Sequence, residues 1–279
     1  MLLLVPCDPI NPRRPDEHFA AETAAARAAD WGIGLYDHDR VVAGSSDAVR
    51  WPAGGTGPVL MRGWMLSASH YAVLEEQVVT AGGTMVTSAS QYKCAHELPG
   101  WYRTFRDLTP QSAWIEGNDP AALVAASSAL PEGGAVIKDY VKSLKHRWED
   151  ACWIPNVRDI ARLTRTAKTF VELRDRDLQG GLVVRAFERL EGPELRTWWI
   201  DGTCRMVTAH PDTPDQMPAD RPSFDDASAA VLSLNCRFVT LDWAKRADGG
   251  WRVIEVGDGQ VSDRPRSMDA EAFIAALRL

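Results

Sequence analysis

Several features are scarce or missing in this chain of 279 residues, and each absence excludes a class of protein. The five cysteines are widely scattered and form no Cys-x-x-Cys pair, which argues against a zinc site or a disulfide framework and favours reduced thiols. No apolar run approaches membrane-spanning length, and the opening MLLLVP has too short an apolar run, and no basic flank, for a signal peptide. Internal repeats and low-complexity tracts are also missing. We therefore expect a soluble, cytoplasmic globular protein that does not bind membranes.

Positive charge is also in short supply. The chain has 31 Lys and Arg residues against 38 Asp and Glu residues, a net charge of -7. This balance argues against a general nucleic-acid surface, although local basic pockets stay open. Tryptophan, by contrast, is plentiful with 11 residues, most of which we expect to fill the core. The length suffices for two or three lobes.

The first 90 residues alternate between apolar runs and an alanine-rich or amphipathic pattern. The pattern predicts strands at 2–6, 32–36, 58–62 and 84–87 and helices at 16–29 and 71–81. Strands that alternate with helices are typical of a parallel sheet with helical crossovers. From residue 91 the composition becomes polar and aromatic, and Pro99-Gly100 is expected to interrupt any helix there. A helix is predicted at 269–279.

The C-terminal part contains a hairpin that carries carboxylates. Two apolar runs, 238–243 and 251–256, flank an Asp-Gly turn, which is a hairpin signal. Pairing these strands brings Asp242 and Glu255 close together, and Asp258 lies in the turn that follows. Crowded carboxylates repel one another unless a cation lies between them, and hard oxygen ligands suit Mg²⁺, which usually also binds substrate phosphates. We predict a magnesium-nucleotide site; a surface hairpin whose acids face water is the alternative.

Lys138 lies late in the predicted strand GGAVIKDY. A lysine in a strand must either extend its ammonium to solvent or meet an anion, because burying an unpaired ammonium is costly. A nucleotide phosphate would serve as that anion. The basic segment 142–147 follows at once, and a solvated basic loop is the alternative interpretation of it. Further on, Glu194 begins a strand after a Gly-Pro turn, where its carboxylate could accept hydrogen bonds from two ribose hydroxyls.

The order of these parts resembles the ATP-grasp superfamily of ATP-dependent carboxylate ligases, whose nucleotide lies between two α+β lobes. The segments RGWM, QYKCAHELPGWY, LTPQSAW, VVRAFE, ELR and EVGDGQVS are similar to the clade named for two conserved arginines and a lysine. We place those three residues at Arg185, Arg196 and Lys138. The resemblance implies an ATP-grasp fold with lobes at 91–180 and 181–279, and a small parallel-sheet α/β domain before it at 1–90.

The resemblance also implies that ATP and Mg²⁺ are bound. The residues it implies for the phosphates are Lys93, Lys138 and, in the phosphate-covering loop, Lys142, Ser143 and Lys145. Those implied for the adenine and the ribose are Phe187, Glu188, Leu190 and Glu194. Those implied for Mg²⁺ are Asp242, Glu255 and Asp258, the last replacing the asparagine of the family's Glu-x-Asn pattern.

Three arginines are candidates for anion binding. Arg185 and Arg196 could clamp the γ-phosphate or a substrate carboxylate through two parallel hydrogen bonds, a geometry that lysine cannot supply. The alternative role for both arginines is a structural ion pair with a nearby acid, and the candidate acids are Glu188, Glu191 and Glu194. Arg62, at the end of a strand, could meet the acid substrate; the alternative is a surface arginine.

The reaction implied is amide or peptide bond formation between a carboxylate and an amine, through an acyl phosphate, with release of ADP and phosphate. The partners would be small-molecule or peptide substrates, and the oligomeric state cannot be read from the sequence. Three alternatives stay open: a kinase on the same fold, a nucleotidyl-lysine ligase and a non-catalytic nucleotide-binding module. The second is disfavoured because Lys138 is followed by Asp139-Tyr140-Val141 rather than by the Lys-x-Asp-Gly pattern.

Overall fold

The computed structural model describes residues 1–52 and 55–278, and the chain forms two compact units. The first unit contains residues 1–95, 193–242 and 255–279, and the second contains residues 96–192 and 243–254. The boundaries predicted at residues 90 and 180 follow chain order, whereas these units follow packing, so those boundaries stay predictions.

The first unit begins with a five-stranded sheet. Its strands are β1 (Leu2–Pro6), β2 (Gly32–Tyr36), β3 (Val49–Arg50), β4 (Gly57–Met61) and β5 (Gly83–Met85), and its helices are α1 (Ala20–Ala28), α2 (His38–Val42), α3 (Ala68–Thr80) and α4 (Ala89–His96). The strands lie in the order β3-β2-β1-β4-β5, and all the pairs are parallel except the one that β3 makes at the edge. Every residue of β1 is buried, as expected for a central parallel strand covered on both faces. The predicted parallel sheet is therefore confirmed.

The second unit contains an antiparallel sheet backed by helices. Its elements are α5 (Leu98–Phe105), β6 (Ser112–Glu116), α6 (Pro120–Ala126), β7 (Ala135–Asp139), β8 (Trp153–Ile154), α7 (Ile160–Arg174) and β9 (Gly181–Ala186). The strand order is β6-β9-β7-β8. One face of the sheet packs its apolar residues, such as Ile137 and Val184, on Leu123 of α6 and on Leu163 and Phe170 of α7. The opposite face is therefore left for other contacts.

Pro99 and Gly100 do not interrupt a helix, which corrects the sequence prediction. They lie in the first turn of α5, where the amide that proline lacks would have no partner within the helix. The break between α4 and α5 falls instead at Glu97, whose backbone is extended.

A third sheet is built from the C-terminal strands. Its strands are β10 (Leu190–Ile200), β11 (Thr203–Ala209), β12 (Phe238–Arg246) and β13 (Trp251–Asp258), and the helices that accompany it are α8 (Asp225–Ser233) and α9 (Ala270–Ala276). The strand order is β11-β10-β12-β13. The turn between β10 and β11 has positive φ angles at Asp201 and Gly202, and the β12–β13 turn has one at Gly249, as Asp-Gly hairpin turns require. The hairpin predicted from the runs 238–243 and 251–256 is confirmed.

The core of the first unit joins segments that are far apart in the sequence. Leu3 and Val5 of β1 share one apolar cluster with Trp198 of β10 and with Phe273 and Ile274 of α9. The predicted C-terminal helix thus buries an apolar face, and residues 1–95 share a core with the C-terminal sheet.

Candidate active site

The hairpin of β12 and β13 carries two of the predicted metal ligands on one face. A Cβ added to Gly257 would lie 3.0 Å from the Thr240 hydroxyl, so these two residues face the same way. Because side chains alternate along a strand, Asp242 and Glu255 share that face. Asp242 is almost fully buried and Glu255 is partly exposed. The hairpin therefore brings both carboxylates to one surface.

Arg196, on the neighbouring strand β10, binds the Asp242 carboxylate with two parallel hydrogen bonds. Its Nε and Nη2 donate to the two carboxylate oxygens at 2.7 and 2.8 Å, and its Nη1 donates to the Asp263 carbonyl at 3.1 Å. Burial alone would raise the pKa of Asp242, but the Arg196 guanidinium outweighs this and holds that pKa below its usual range. Asp242 is therefore ionised at neutral pH, and a carboxylate has more lone pairs than Arg196 uses.

The ion-pair partner expected for Arg196 is corrected by these contacts, and the alternative for Arg185 stays a prediction. Arg196 pairs with Asp242, 46 residues away, rather than with a nearby acid. Glu188 pairs with Arg252 at 2.9 Å, and Glu191 pairs with Arg189 at 3.3 Å. The strand order explains the pair of Arg196 and Asp242, because β12 lies beside β10 and presents Asp242 to it.

His210 belongs to the same cluster and was missed by sequence reasoning. Its Nε2 lies 3.4 Å from Asp242 Oδ2, 3.9 Å from Glu194 Oε2 and 3.4 Å from Arg196 Nη2. Burial alone would lower the pKa of His210, but the Asp242 carboxylate outweighs it and raises that pKa. The register of the β10–β11 hairpin was the signal that could have found it, since the His210 amide donates to the Glu194 carbonyl at 3.3 Å.

Lys138 lies on β7 of the second unit, on the sheet face away from the helical core. It pairs in register with Val183, and Val136 pairs with Arg185, so Lys138 and Arg185 share that face. The Lys138 side chain is 9% exposed, and its Nζ donates to the Val141 carbonyl at 3.1 Å. This face thus presents an ammonium and a guanidinium, as an anion-binding surface requires.

The basic segment after Lys138 is fixed at its base by Asp139, which is fully buried. One Asp139 carboxylate oxygen accepts hydrogen bonds from the amides of Val141 and Lys142, and the other accepts one from Arg174 Nε at 3.0 Å. Because the first amides of this loop already bind Asp139, contacts with a phosphate there fall to side chains.

Aromatic rings lie on the same sheet face as Lys138. Trp153 of β8 pairs with Val136, and its ring meets Phe187 edge to face at 4.6 Å and stacks on Trp148 at 5.9 Å. Phe187 is 43% exposed, so part of its ring can receive a planar base. Sequence reasoning named Phe187 but missed Trp153 and Trp148, which lie far from it along the chain.

Arg185 ties β9 to two neighbouring segments. Its Nε donates to Ser112 Oγ at 3.1 Å, its Nη1 donates to the Ile254 carbonyl at 2.8 Å, and its guanidinium lies 5.7 Å from the centre of the Trp101 ring. Arg185 thus holds the backbone of the residue that precedes Glu255.

Arg62 lies in the interior of the first unit. It is 1% exposed, and its Nε and Nη2 donate to the Glu22 carboxylate at 2.7 and 3.1 Å. Its Nη1 lies within hydrogen-bond distance of the carbonyls of Gly259, Gln260 and Ser262. This burial corrects both expectations for Arg62, the contact with an acid substrate and the surface arginine.

Asp258 is fully buried at the end of β13. Its Oδ1 accepts a hydrogen bond from the Gln260 amide at 2.8 Å, and burial raises its pKa to about 6. In the part of the chain that the structure describes, no group of three His, Cys, Asp or Glu side chains is gathered closely enough to hold a metal ion. Mg²⁺ often binds only one or two protein carboxylates and completes its shell with phosphates and water. Asp242 and Glu255 suit that arrangement, and a metal role for Asp258 stays a prediction.

We expect Asp258→Asn to stabilise the protein above pH 6. A carboxyl group whose pKa is about 6 when folded and about 3.9 when unfolded holds its proton better in the folded state, so it lowers the free energy of unfolding as pH rises between those values. The loss amounts to about 3 kcal/mol above pH 6 and should be missing in the variant. Urea unfolding without Mg²⁺ at pH 4.5 and pH 8 measures it. An equal pH dependence in both proteins would contradict the prediction.

The other nucleotide contacts expected from the sequence stay predictions. Lys93 is exposed on α4, Lys142 and Lys145 are exposed in the basic segment, and Ser143 is half-buried between them. Leu190, at the start of β10, is 38% exposed.

Solved structures share this fold. A RimK domain ATP-grasp protein from Sphaerobacter thermophilus DSM 20745 has 15% identity and a TM-score of 0.63, with 98% of each chain covered. The D-cycloserine synthetase DcsG has 14% identity and a TM-score of 0.63, over 99% of this chain and 98% of its own. The ATP-grasp ligase PsnB, complexed with minimal precursor, Mg and ADP, has 15% identity and a TM-score of 0.59, over 99% and 96% of the two chains. The fold is therefore that of the ATP-grasp proteins.

Residues 126–277, more than half of the chain, match an ATP-grasp domain family, family 3 of the clade named for two arginines and a lysine. The chain belongs to this family. No curated protein matches the sequence. Of the helices within residues 1–52 and 55–278, none combines the length and the apolar character needed to cross a membrane.

Proposed function

We propose that this protein is an ATP-dependent ligase that joins a carboxylate to an amine. It would form an amide or peptide bond through an acyl phosphate and release ADP and phosphate. The observation that carries the proposal is the pair of carboxylates, Asp242 and Glu255, on one face of the terminal hairpin, with Asp242 held in its ionised form by Arg196. A buried carboxylate kept charged in this way suits a divalent cation.

Residues of the first unit fit Mg²⁺ and a ribose, and residues of the second unit fit phosphates and an adenine. Asp242 and Glu255 offer the hard oxygen atoms that Mg²⁺ prefers, and Glu194 beside them offers a carboxylate to the ribose. In the second unit, Lys138 offers an ammonium to the phosphates, and Phe187 with Trp153 offers an aromatic surface to the adenine. Mg²⁺, when bound, neutralises the negative charge that develops on the transferred phosphoryl group.

The chain's own contribution is positioning and charge. The Arg196 guanidinium adds positive charge beside Asp242 and, with His210, fixes the direction of that carboxylate. The loop after Lys138 is held by Asp139, so that the ammonium keeps one position. No residue needs to act as a nucleophile in such a reaction.

The structural relatives include a ligase and a synthetase, which supports an ATP-dependent ligase. PsnB is complexed with a precursor, and DcsG is a synthetase of a small molecule, D-cycloserine. We accordingly propose a small-molecule or peptide carboxylate and an amine as substrates. We keep a cytoplasmic location in the proposal, because widely spaced cysteines without paired motifs suit a reducing compartment.

The test follows the products of ATP consumption with Mg²⁺ while pools of small carboxylates, amino acids, peptides and amines are supplied. ADP with an equal amount of free phosphate, dependent on both an acid and an amine, is the expected result. ADP without phosphate would favour a kinase, and AMP would favour an adenylating enzyme. ATP binding without turnover in any pool would favour a nucleotide-binding module over the ligase.

A further inference from the structure

Residues 259–264, which we call the strap, connect the carboxylate hairpin to Arg196. The strap begins directly after Asp258, the last residue of β13. Near its end, the Asp263 carbonyl accepts the hydrogen bond from Arg196 Nη1 at 3.1 Å. The strap's position therefore decides where one of the Arg196 donors points, and the other two donors of Arg196 bind Asp242.

Arg62 holds the first half of the strap. Its Nη1 reaches the carbonyls of Gly259, Gln260 and Ser262 at 2.6, 3.1 and 2.8 Å. The residues on either side of Arg62 add two further bonds, from the Met61 amide to Gln260 Oε1 at 2.9 Å and from the Gly63 amide to the Gln260 carbonyl at 3.1 Å. Buried carbonyls need such partners, and a lysine has neither the reach nor the planar donors to replace a guanidinium there.

Glu22 of α1 binds both Arg62 and Arg264. It is 2% exposed, and its carboxylate receives Arg62 from one side and Arg264 Nε, at 3.3 Å, from the other. Arg264 is the last residue of the strap. The buried pair of Glu22 and Arg62 thus fixes the strap at its start and at its end.

Trp198 connects Arg62 to Arg196 by a second route. Its ring is fully buried, with the Arg62 guanidinium 5.9 Å and the Arg196 guanidinium 5.8 Å from its centre. Because interiors are packed closely, a shift of one guanidinium changes the space that is left to the other. The strap and the indole therefore couple the same two arginines.

We infer that Arg62 is a positioning residue for the active site: it sets the orientation of Arg196, and through Arg196 that of Asp242, by holding the strap and Trp198. The inference rests on the proposed function, because it is through Arg196 and Asp242 that Arg62 would affect the reaction. It gives a role to the Arg-Gly-Trp-Met segment that the sequence singled out.

The test is a double-mutant cycle of Arg62→Lys and Arg196→Lys, with kcat and KM for ATP measured for each protein. Arg62→Lys alone should lower kcat by about 10- to 100-fold, the effect of a small misplacement in an active site, with a smaller change in KM. In the Arg196→Lys background the same change should have little further effect, because Arg62 acts through Arg196. Effects on kcat that multiply independently would overturn the inference.

Leu123→Ala is the matched control for lost stability. Leu123 is fully buried in α6, in an apolar cluster that contains neither Trp198 nor any residue of the strap. This variant should have a lower thermal midpoint and an unchanged kcat at temperatures below unfolding. If its kcat fell as much as that of Arg62→Lys, the effect of Arg62 on kcat would be explained by stability alone. If Arg62→Lys does not fold, Arg264→Met releases only the end of the strap and should lower kcat in the same direction by a smaller factor.

A failure of the proposed function has a different signature. If the wild type consumes no ATP with any acid and amine, the ligase proposal fails, and the cycle is measured as the calorimetric affinity for ADP with and without Mg²⁺. Arg62→Lys should then weaken the Mg²⁺-dependent part of ADP binding, again only while Arg196 is present. No Mg²⁺-dependent ADP binding by the wild type would overturn both proposals.

Discussion

Replacing Glu255 by glutamine is expected to stop ATP consumption almost completely while the fold stays intact. The amide keeps the size of the side chain but removes a charge that, together with Asp242, would hold Mg²⁺ beside the phosphates. The loss of turnover should be about 1,000-fold, the upper range for removing one preorganised electrostatic contact. Because Glu255 is partly exposed, the thermal midpoint should change by no more than about 2 °C. ADP release and a thermal melt measure the two quantities.

Glu271→Gln is the matched control for this change. Glu271 is exposed in the first turn of α9, so the same chemical substitution should leave turnover unchanged there. A fully active Glu255→Gln protein would remove the metal assignment. A variant whose lost activity returns at high Mg²⁺ concentration would support it further.

Replacing Lys138 by methionine should lower turnover by about 100- to 1,000-fold, because it removes the charge that would meet the phosphates. It should also lower the free energy of unfolding by about 1 kcal/mol, because the nearly buried ammonium donates a hydrogen bond to the Val141 carbonyl and a thioether cannot. Activity and stability are therefore both expected to fall. Steady-state kinetics with ATP and urea unfolding of the same preparation measure both.

Lys168→Met serves as the control for Lys138→Met, since Lys168 is an exposed lysine on α7 of the same unit. It should change neither quantity beyond the small range of surface substitutions. Wild-type turnover by the Lys138→Met protein would show that the phosphates are bound elsewhere.

Much of the fold was predictable because its signals are local. The Asp-Gly turns at residues 201–202 and 248–249 specify their hairpins through the positive φ angles they need, and the alternating first 90 residues specify parallel pairing. From the second hairpin follow the two carboxylates on one face. Pro99 was misread because a proline inside a helix and one in its first turn look the same until the start of the helix is known.

Less of the candidate site was predictable, because its contacts join distant segments. Arg196 meets Asp242 because β12 lies beside β10, an order of strands that neither run of residues specifies alone. Trp153 of β8 and Phe187, which follows β9, meet although the sheet places β7 between those two strands. Arg62 looks like an ordinary arginine at a strand end, and only the position of Glu22 and residues 259–262 shows why it is buried.

The shared core of the first unit affects the order in which parts of the protein can fold during synthesis. Leu3 and Val5 pack with Phe273 and Leu277, so the partners of the first strand are synthesised long after it. The core cluster of the second unit has its buried residues between Leu123 and Val184, and the partly buried residues packed against them lie between Ala113 and Ala186. We expect that core to collapse first, while the earlier parallel strands keep apolar surface exposed and depend on chaperones until α9 has emerged.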